Sequence, residues 1–277
     1  MKNVHFFWNN THFDKAVLEA SASAPGWPVQ NLQNPQIARA WKCPDAGGWI
    51  KVSNDIPRTF TALVLVGHNL GLGSKVRLRV YDDNFLTEIY QQETEVIKPV
   101  YNMKELPLCN SSMLGYPSED DLSILPRTNL IMLLDKPFCR KNTKIEIDSP
   151  NPFHVGRVIL CEHWEPKINF SYGWSDNLGD DSSTQRSLGG QDWVDQKNRR
   201  YGFSFSLDNL AEGEVNGPLM KMRHHCGTSI PLVVSLLPDD AIASQYTSIH
   251  CKFSTVPKVT QPAYNRYAAK ISLTEAL

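Results

Sequence analysis

Apolar residues in this chain alternate in twos over long stretches and rarely recur at helical spacing. Ala62 to Val66 forms an unbroken apolar run, bounded by Pro57 before it and by Gly67, Asn69 and Gly71 after it. It is too short for a membrane span and suits a strand buried on both faces. Lys75 to Tyr81 then alternates strictly, with Val76, Leu78 and Val80 on one face and Lys75, Arg77, Arg79 and Tyr81 on the other. This pattern predicts a neighbouring strand with one wet face. Short strands are expected at Val4 to Trp8 and Ala16 to Ala20, and longer ones at Asn129 to Leu134, Thr143 to Ile147 and Phe153 to Glu162. Lys98 to Pro126 reads as a long, packed excursion, because residues such as Tyr101, Leu106 and Met113 are too apolar for a solvated linker.

The composition shifts near Trp164 to Lys167, which places a domain boundary there: 1–164 a β-sandwich, 165–277 a smaller, mostly β domain. Asp176 to Gln191 has almost no apolar content and reads as a mobile hairpin tip. Tyr201, Phe203, Phe205 and Leu207 alternate onto one face of a strand. One helix is predicted, with Asn216 as its cap, Pro218 in its first turn, Leu219, Met222 and Cys226 on one face, and Gly227 as its stop. Strands at Ile230 to Leu237, Thr247 to Ser254 and Ala268 to Leu273 complete the second domain.

Among 277 residues, 28 Lys and Arg nearly balance 29 Asp and Glu. That argues against a nucleic acid or an anionic membrane as the main partner. No run reaches the ~18 apolar residues of a membrane helix, and the opening MKNVHFFWNN is polar where a secretory signal would be apolar, so a cytoplasmic start is expected. The six cysteines are scattered without C-x-x-C spacing and are expected to be reduced and mostly buried. Eighteen prolines and sixteen glycines suit an all-β chain full of turns.

The glycine-rich Gly67 to Lys75 fits no phosphate-loop spacing, and a strand follows it where the phosphate would need a helix. Metal ligands are available in Cys161 with His163, in His224, His225 and Cys226, and in His250 and Cys251. A zinc site, or an iron–sulfur cluster on Cys139, Cys161, Cys226 and Cys251, is weighed against plain packing of these residues, with packing the default. There is no G-x-S-x-G and no H-E-x-x-H, and the carboxylates at Asp82, Asp83, Glu119, Asp120 and Asp121 lie in turn-like sequence, so no enzyme activity and no cofactor are expected. Trp27, Trp41 and Trp49 fall close together and could stack on sugar rings, or serve as plugs of the sandwich.

Pro28-Val29-Gln30-Asn31-Leu32, Trp41-Lys42, Trp49-Ile50-Lys51-Val52, Thr61 to Leu70 and Val76 to Tyr81 together resemble the discoidin-like, galactose-binding-like jelly roll of tail proteins from tailed bacteriophages. Arg200 to Leu207, a short helix, Ser229 to Val234 and the closing Ile271 to Leu277 are similar to the C-terminal half of such proteins, a relative of the tail-tube β-fold. The resemblance implies a virion structural protein: a protomer of a trimeric or hexameric ring at the tail tip. It would be made in the host cytoplasm and join the tube to the baseplate around a lumen for tape measure and DNA. The interface residues expected from this are Trp174, Asp176, Asp180, Asp181, Trp193, Tyr201 and Phe203, with Asp176, Asp180 and Asp181 turned to the lumen. The alternative is a carbohydrate-binding module that reads a cell-surface glycan through Trp27, Trp41 or Trp49.

Overall fold

A computed structural model describes residues 3–82, 84–97, 129–238, 244 and 247–276. The excursion expected at Lys98 to Pro126, Cys109 and the acids Asp83 and Glu119 to Asp121 lie outside these. The chain is mainly β and divides into two compact units, Met1–Glu165 with Val233–Ser248, and Pro166–Leu232 with Ile249–Leu277. The first is a β-sandwich, and the second is a smaller β unit carrying a helical segment.

The first unit begins with β1 (His5–Phe7), a one-turn helix α1 (Thr11–Asp14), β2 (Val17–Ala20), a 3-10 turn at Val29–Gln33 and β3 (Trp41–Cys43). It continues through β4 (Gly47–Val66), β5 (Lys75–Tyr81), β6 (Glu88–Glu95), β7 (Leu130–Asp148), β8 (Phe153–Val155), β9 (Arg157–Cys161) and β10 (His163–Trp164). One sheet runs β2-β4-β7-β5-β6, with β9 also paired to β4, and β3 pairs separately with β8.

The run expected to be buried on both faces is the second half of β4. It lies between β7 and β9, since Ala62 is opposite Leu133 on one side and Cys161 on the other. Leu63 and Leu65 enter the main core with Val76, Leu78 and Ile145, while Ala62, Val64 and Val66 pack on the reverse face with Phe7, Ile159 and Val233. Each fully buried branched chain there contributes about 2 kcal/mol. Pro57 reads in the sequence as the boundary of the apolar run, yet β4 continues through it from Gly47 to Val66. The structure absorbs Pro57 in an irregularity of the β4–β7 register between Ser53 and Arg58, where a missing N–H is tolerated.

Gly67 takes φ +64°, and a Cβ on it would lie 2.1 Å from Ile37 Cγ2. Its role is close packing and a left-handed turn, which accounts for the glycine without any phosphate. Asn10 completes β9: its Oδ1 accepts Leu160 N–H at 2.8 Å and its Nδ2 donates to Val158 O at 2.9 Å.

The second unit contributes β11 (Ser175–Asp180), β12 (Ser183–Arg186), β13 (Asp192–Asp195) and β14 (Arg199–Leu210), then helical residues from Glu212 to Cys226, ending in α2 (Met220–Cys226). The chain passes through β15 (Leu232–Ser235), which pairs with β1 in the first unit. It ends in β16 (Ser248–Phe253), β17 (Lys258–Ala263) and β18 (Arg266–Glu275), with β18 between β14 and β16. Phe203, Phe205 and Leu207 are buried as their alternation predicts, and Leu219, Met222 and Cys226 form the buried helix face. Gly227 stops the helix at φ +51° with its N–H on Arg223 O. The start expected at Asn216 is corrected. The helical segment opens at Glu212, where Glu214 Oε2 accepts the Ala211 N–H at 3.0 Å, and Pro218 lies inside a π-turn, Val215–Leu219.

Candidate functional site

The three tryptophans read as sugar platforms have different fates. Trp41 is 0% exposed, its Nε1 donates to Ala22 O at 3.1 Å and its ring meets Phe153 edge-on at 5.5 Å. It is a core residue, so that expectation is corrected: no sugar can stack on it. Trp27 is partly exposed and carries the Lys42 ammonium 3.7 Å from its ring centre. Trp49 is also partly exposed, flanked by the Lys51 and Lys144 ammonium groups at 5.0 and 5.5 Å.

Trp49 heads a cross-strand row of charged residues. Glu146 lies opposite it on β7, Arg77 follows on β5 and Glu93 on β6. Arg77 bonds both Glu93 and Glu146, Arg79 Nη1 bonds Glu88 at 2.9 Å, and Lys144 Nζ bonds Glu146 at 2.7 Å. Burial pushes the Glu146 carboxyl up, but Lys144, Arg79 and Arg77 outweigh it and hold the group below the usual carboxylate range. The outer face of β5 and β6 is therefore a lattice of satisfied charges. It holds no isolated acid–base pair.

The interface residues read from the sequence concentrate on β11 to β14. β11 pairs with β14 from Ser175 opposite Ser204 to Asp180 opposite Arg199, and β12 pairs only with β13 among the described residues. Every residue of β12 and β13 is exposed. Yet this arm bears Trp193 at 78% exposure, with Val194, Leu178 and Leu188 also exposed. Trp174 is partly open and meets Phe203 at 6.0 Å. Phe203 itself is 4% exposed and belongs to the core of the second unit, a correction to its place among surface contacts. Tyr201 is half-buried, its N–H donating to Glu275 Oε2 at 3.0 Å.

The tip acids are not a bare negative face. Asp180 pairs with Arg199 and Asp181 with Arg200, each at 3.3 Å, while Asp176 is exposed opposite Phe203. A groove of about 340 Å³ crosses the outer side of β11, β14 and β18, floored by Asn177, Gly202, Ser204, Ser272 and Thr274. Its lining combines these hydroxyls and amides with the Asp181–Arg200 ion pair, Tyr201, Phe203 and Leu273.

Of the four candidate cluster cysteines, Cys139 is exposed, and Cys161, Cys226 and Cys251 are buried thiols. Burial pushes the Cys226 thiol up to about 12 and raises those of Cys161 and Cys251 as well. The metal-capable group of three that converges among the described residues uses none of them. It joins His163, singled out in the sequence, to His5 and Glu165, which were not. No helix among the described residues is long and apolar enough to cross a membrane.

No family model and no curated protein matches this chain. Solved structures do. The lectin domain of lectinolysin complexed with Lewis B antigen is 11% identical, with TM-score 0.37, over 56% of this chain and 96% of that one. The family 32 carbohydrate-binding module of C. perfringens NanJ in complex with galactose is 13% identical, with TM-score 0.36, over 58% and 99%. SpGH29 is 11% identical with TM-score 0.37, and the match spans 28% of its longer chain. Likeness at this level is no evidence of a shared ligand or activity.

Proposed function

We propose that this chain is a non-catalytic structural protein that assembles with further copies of itself through the β11–β14 arm of its second unit. One observation carries the reading: an arm whose tip strands bury none of their residues nonetheless displays Trp193, Val194, Leu178 and Leu188. Large apolar side chains grouped on a projecting strand pair are usual where another protein covers them. β11 also ends its strand path, and such an edge is satisfied by the edge of a neighbouring chain. The resemblance to tail-tip proteins of tailed bacteriophages supplies the setting, a ring protomer in the virion with tail tube and baseplate proteins as neighbours. The ladder of Asp180–Arg199 and Asp181–Arg200 favours strand-to-strand docking over a purely acidic lumen wall.

The second reading is carbohydrate binding by the first unit. Trp27 favours it, an accessible ring steadied by Lys42, and Trp49 is its weaker candidate because two lysines already flank its ring.

Light scattering of the whole chain across a concentration range separates the two. Assembly predicts a discrete trimer or hexamer that falls to monomer in Trp193→Ser with Val194→Asp. A monomer at every concentration, with saturable glycan binding abolished by Trp27→Ala, would replace this reading with the second.

A further inference from the structure

We propose that His5, His163 and Glu165 form a binding site for a divalent first-row transition metal, independent of the assembly reading. Strand pairing brings the three together. β1 runs antiparallel to β10, with Phe6 opposite Trp164 and Phe7 opposite His163, so Glu165 follows at the level of His5. Alternation then puts Phe6 and Trp164 on one side, their rings stacked at 5.1 Å, and His5, His163 and Glu165 on the other.

The His5 and His163 rings lie 4.9 Å apart and within 5° of parallel. His5 Nε2 stands 3.6 Å from Glu165 Oε2, and one potential ligand atom from each residue falls within 4.8 Å of the others. A separation of 3.6 Å is long for a hydrogen bond. It is near the roughly 3.4 Å between two ligands bound about 2.1 Å from one tetrahedral ion. An ion must lie in the plane of each imidazole that binds it, so loading opens the parallel stack by a rotation of the His5 ring.

Outer partners hold the ligands in place. Thr61, on β4, has its hydroxyl 2.7 Å from His163 Nδ1, and the same oxygen accepts the His163 backbone N–H at 2.9 Å. With metal on Nε2, the Nδ1 proton is donated to that oxygen, an arrangement that fixes both tautomer and ring. Glu165 Oε1 accepts the Asn3 N–H at 3.0 Å, which leaves Oε2 directed to His5.

His5 is 1% exposed, while the Glu165 side chain is 36% exposed. One wall of the site is dry and the other opens to solvent, so two imidazoles and one carboxylate would leave a coordination position for water. This donor set selects zinc and its neighbours over magnesium or calcium, which prefer oxygen alone.

The test uses the whole tag-free chain, stripped with chelator and titrated with zinc by calorimetry, then with cobalt(II) followed by visible absorption. One equivalent of zinc is expected. Binding should weaken at least tenfold in His163→Ala and in Glu165→Gln, and roughly 10–100-fold in Thr61→Val, which touches no metal. His224→Ala with His225→Ala, an exposed pair at the end of α2, should leave the titration unchanged. The proposal is overturned by the absence of saturable binding in the folded parent chain. It is equally overturned if binding survives His163→Ala and Glu165→Gln, or disappears with the His224 and His225 pair.

Discussion

His12 lies 2% exposed on α1, its ring 4.8 Å from that of Phe60, and neither ring nitrogen has a hydrogen-bond partner among the described residues. Burial, with the positive charge of Arg58 added, lowers its pKa to about 4. A histidine depressed in this way contributes its full share to stability above pH 6.5, and that share is lost as the pH falls from 6.5 to about 4. The loss is about 3 kcal/mol over the whole window. Asp14 acts in the opposite sense: burial pushes its carboxyl up to about 6 against the pull of Arg157, so protonating it below that pH favours the fold. Comparing parent with His12→Leu isolates the histidine. In urea titrations the variant should match the parent to within about 1 kcal/mol at pH 7 and exceed it by about 2 kcal/mol near pH 4.5. An equal difference at both pH values would refute the assignment. Nothing in the sequence around His12 announces this burial, because a polar residue in a four-residue helix has no periodicity to read.

At the scale of elements, β9 shows how a strand is completed without a second strand. It has β4 on one side, while on the other the Asn10 amide takes Leu160 N–H and Val158 O. Asn10→Ala leaves two buried main-chain groups without their side-chain partner. A loss of about 2–3 kcal/mol in the urea midpoint free energy is expected, and one below 0.5 kcal/mol would mean that water replaces the amide. Elements with one buried face were legible in advance: β5 and β14 appear at their alternating positions, and β4 appears as the doubly buried run. Those without a core were not. β11 and β12 read as a mobile tip because strands that bury almost nothing leave no apolar alternation. The beginning of the helical segment was hidden for another reason, since Ala211 offers no capping side chain and Glu214 supplies the acceptor from inside the helix.

At the scale of the whole molecule, candidate surfaces were legible where they depend on neighbours in sequence and illegible where they depend on pairing. Trp27 and Trp49 stay partly exposed, whereas Trp41 is claimed by Phe153, more than a hundred positions along the chain. His5 and Glu165 meet only because β1 and β10 pair. The same long reach closes the first unit, for β1 also takes β15 as a neighbour and Val233 packs with Phe7. A fragment ending at Glu165 lacks both and should melt at a lower temperature than the whole chain, with a broader transition. Identical calorimetric traces for fragment and whole chain would contradict this.

The backbone therefore passes from one unit to the other three times, near residues 165, 232 and 248. A ribosome finishes the last piece of the first unit only after most of the second has been made. No single cut separates the two units into independent modules. A protease that nicks the chain once, near Glu165, leaves one piece that belongs wholly to the first unit and a second that contributes to both, and the nicked protein should still travel as one particle until it is unfolded.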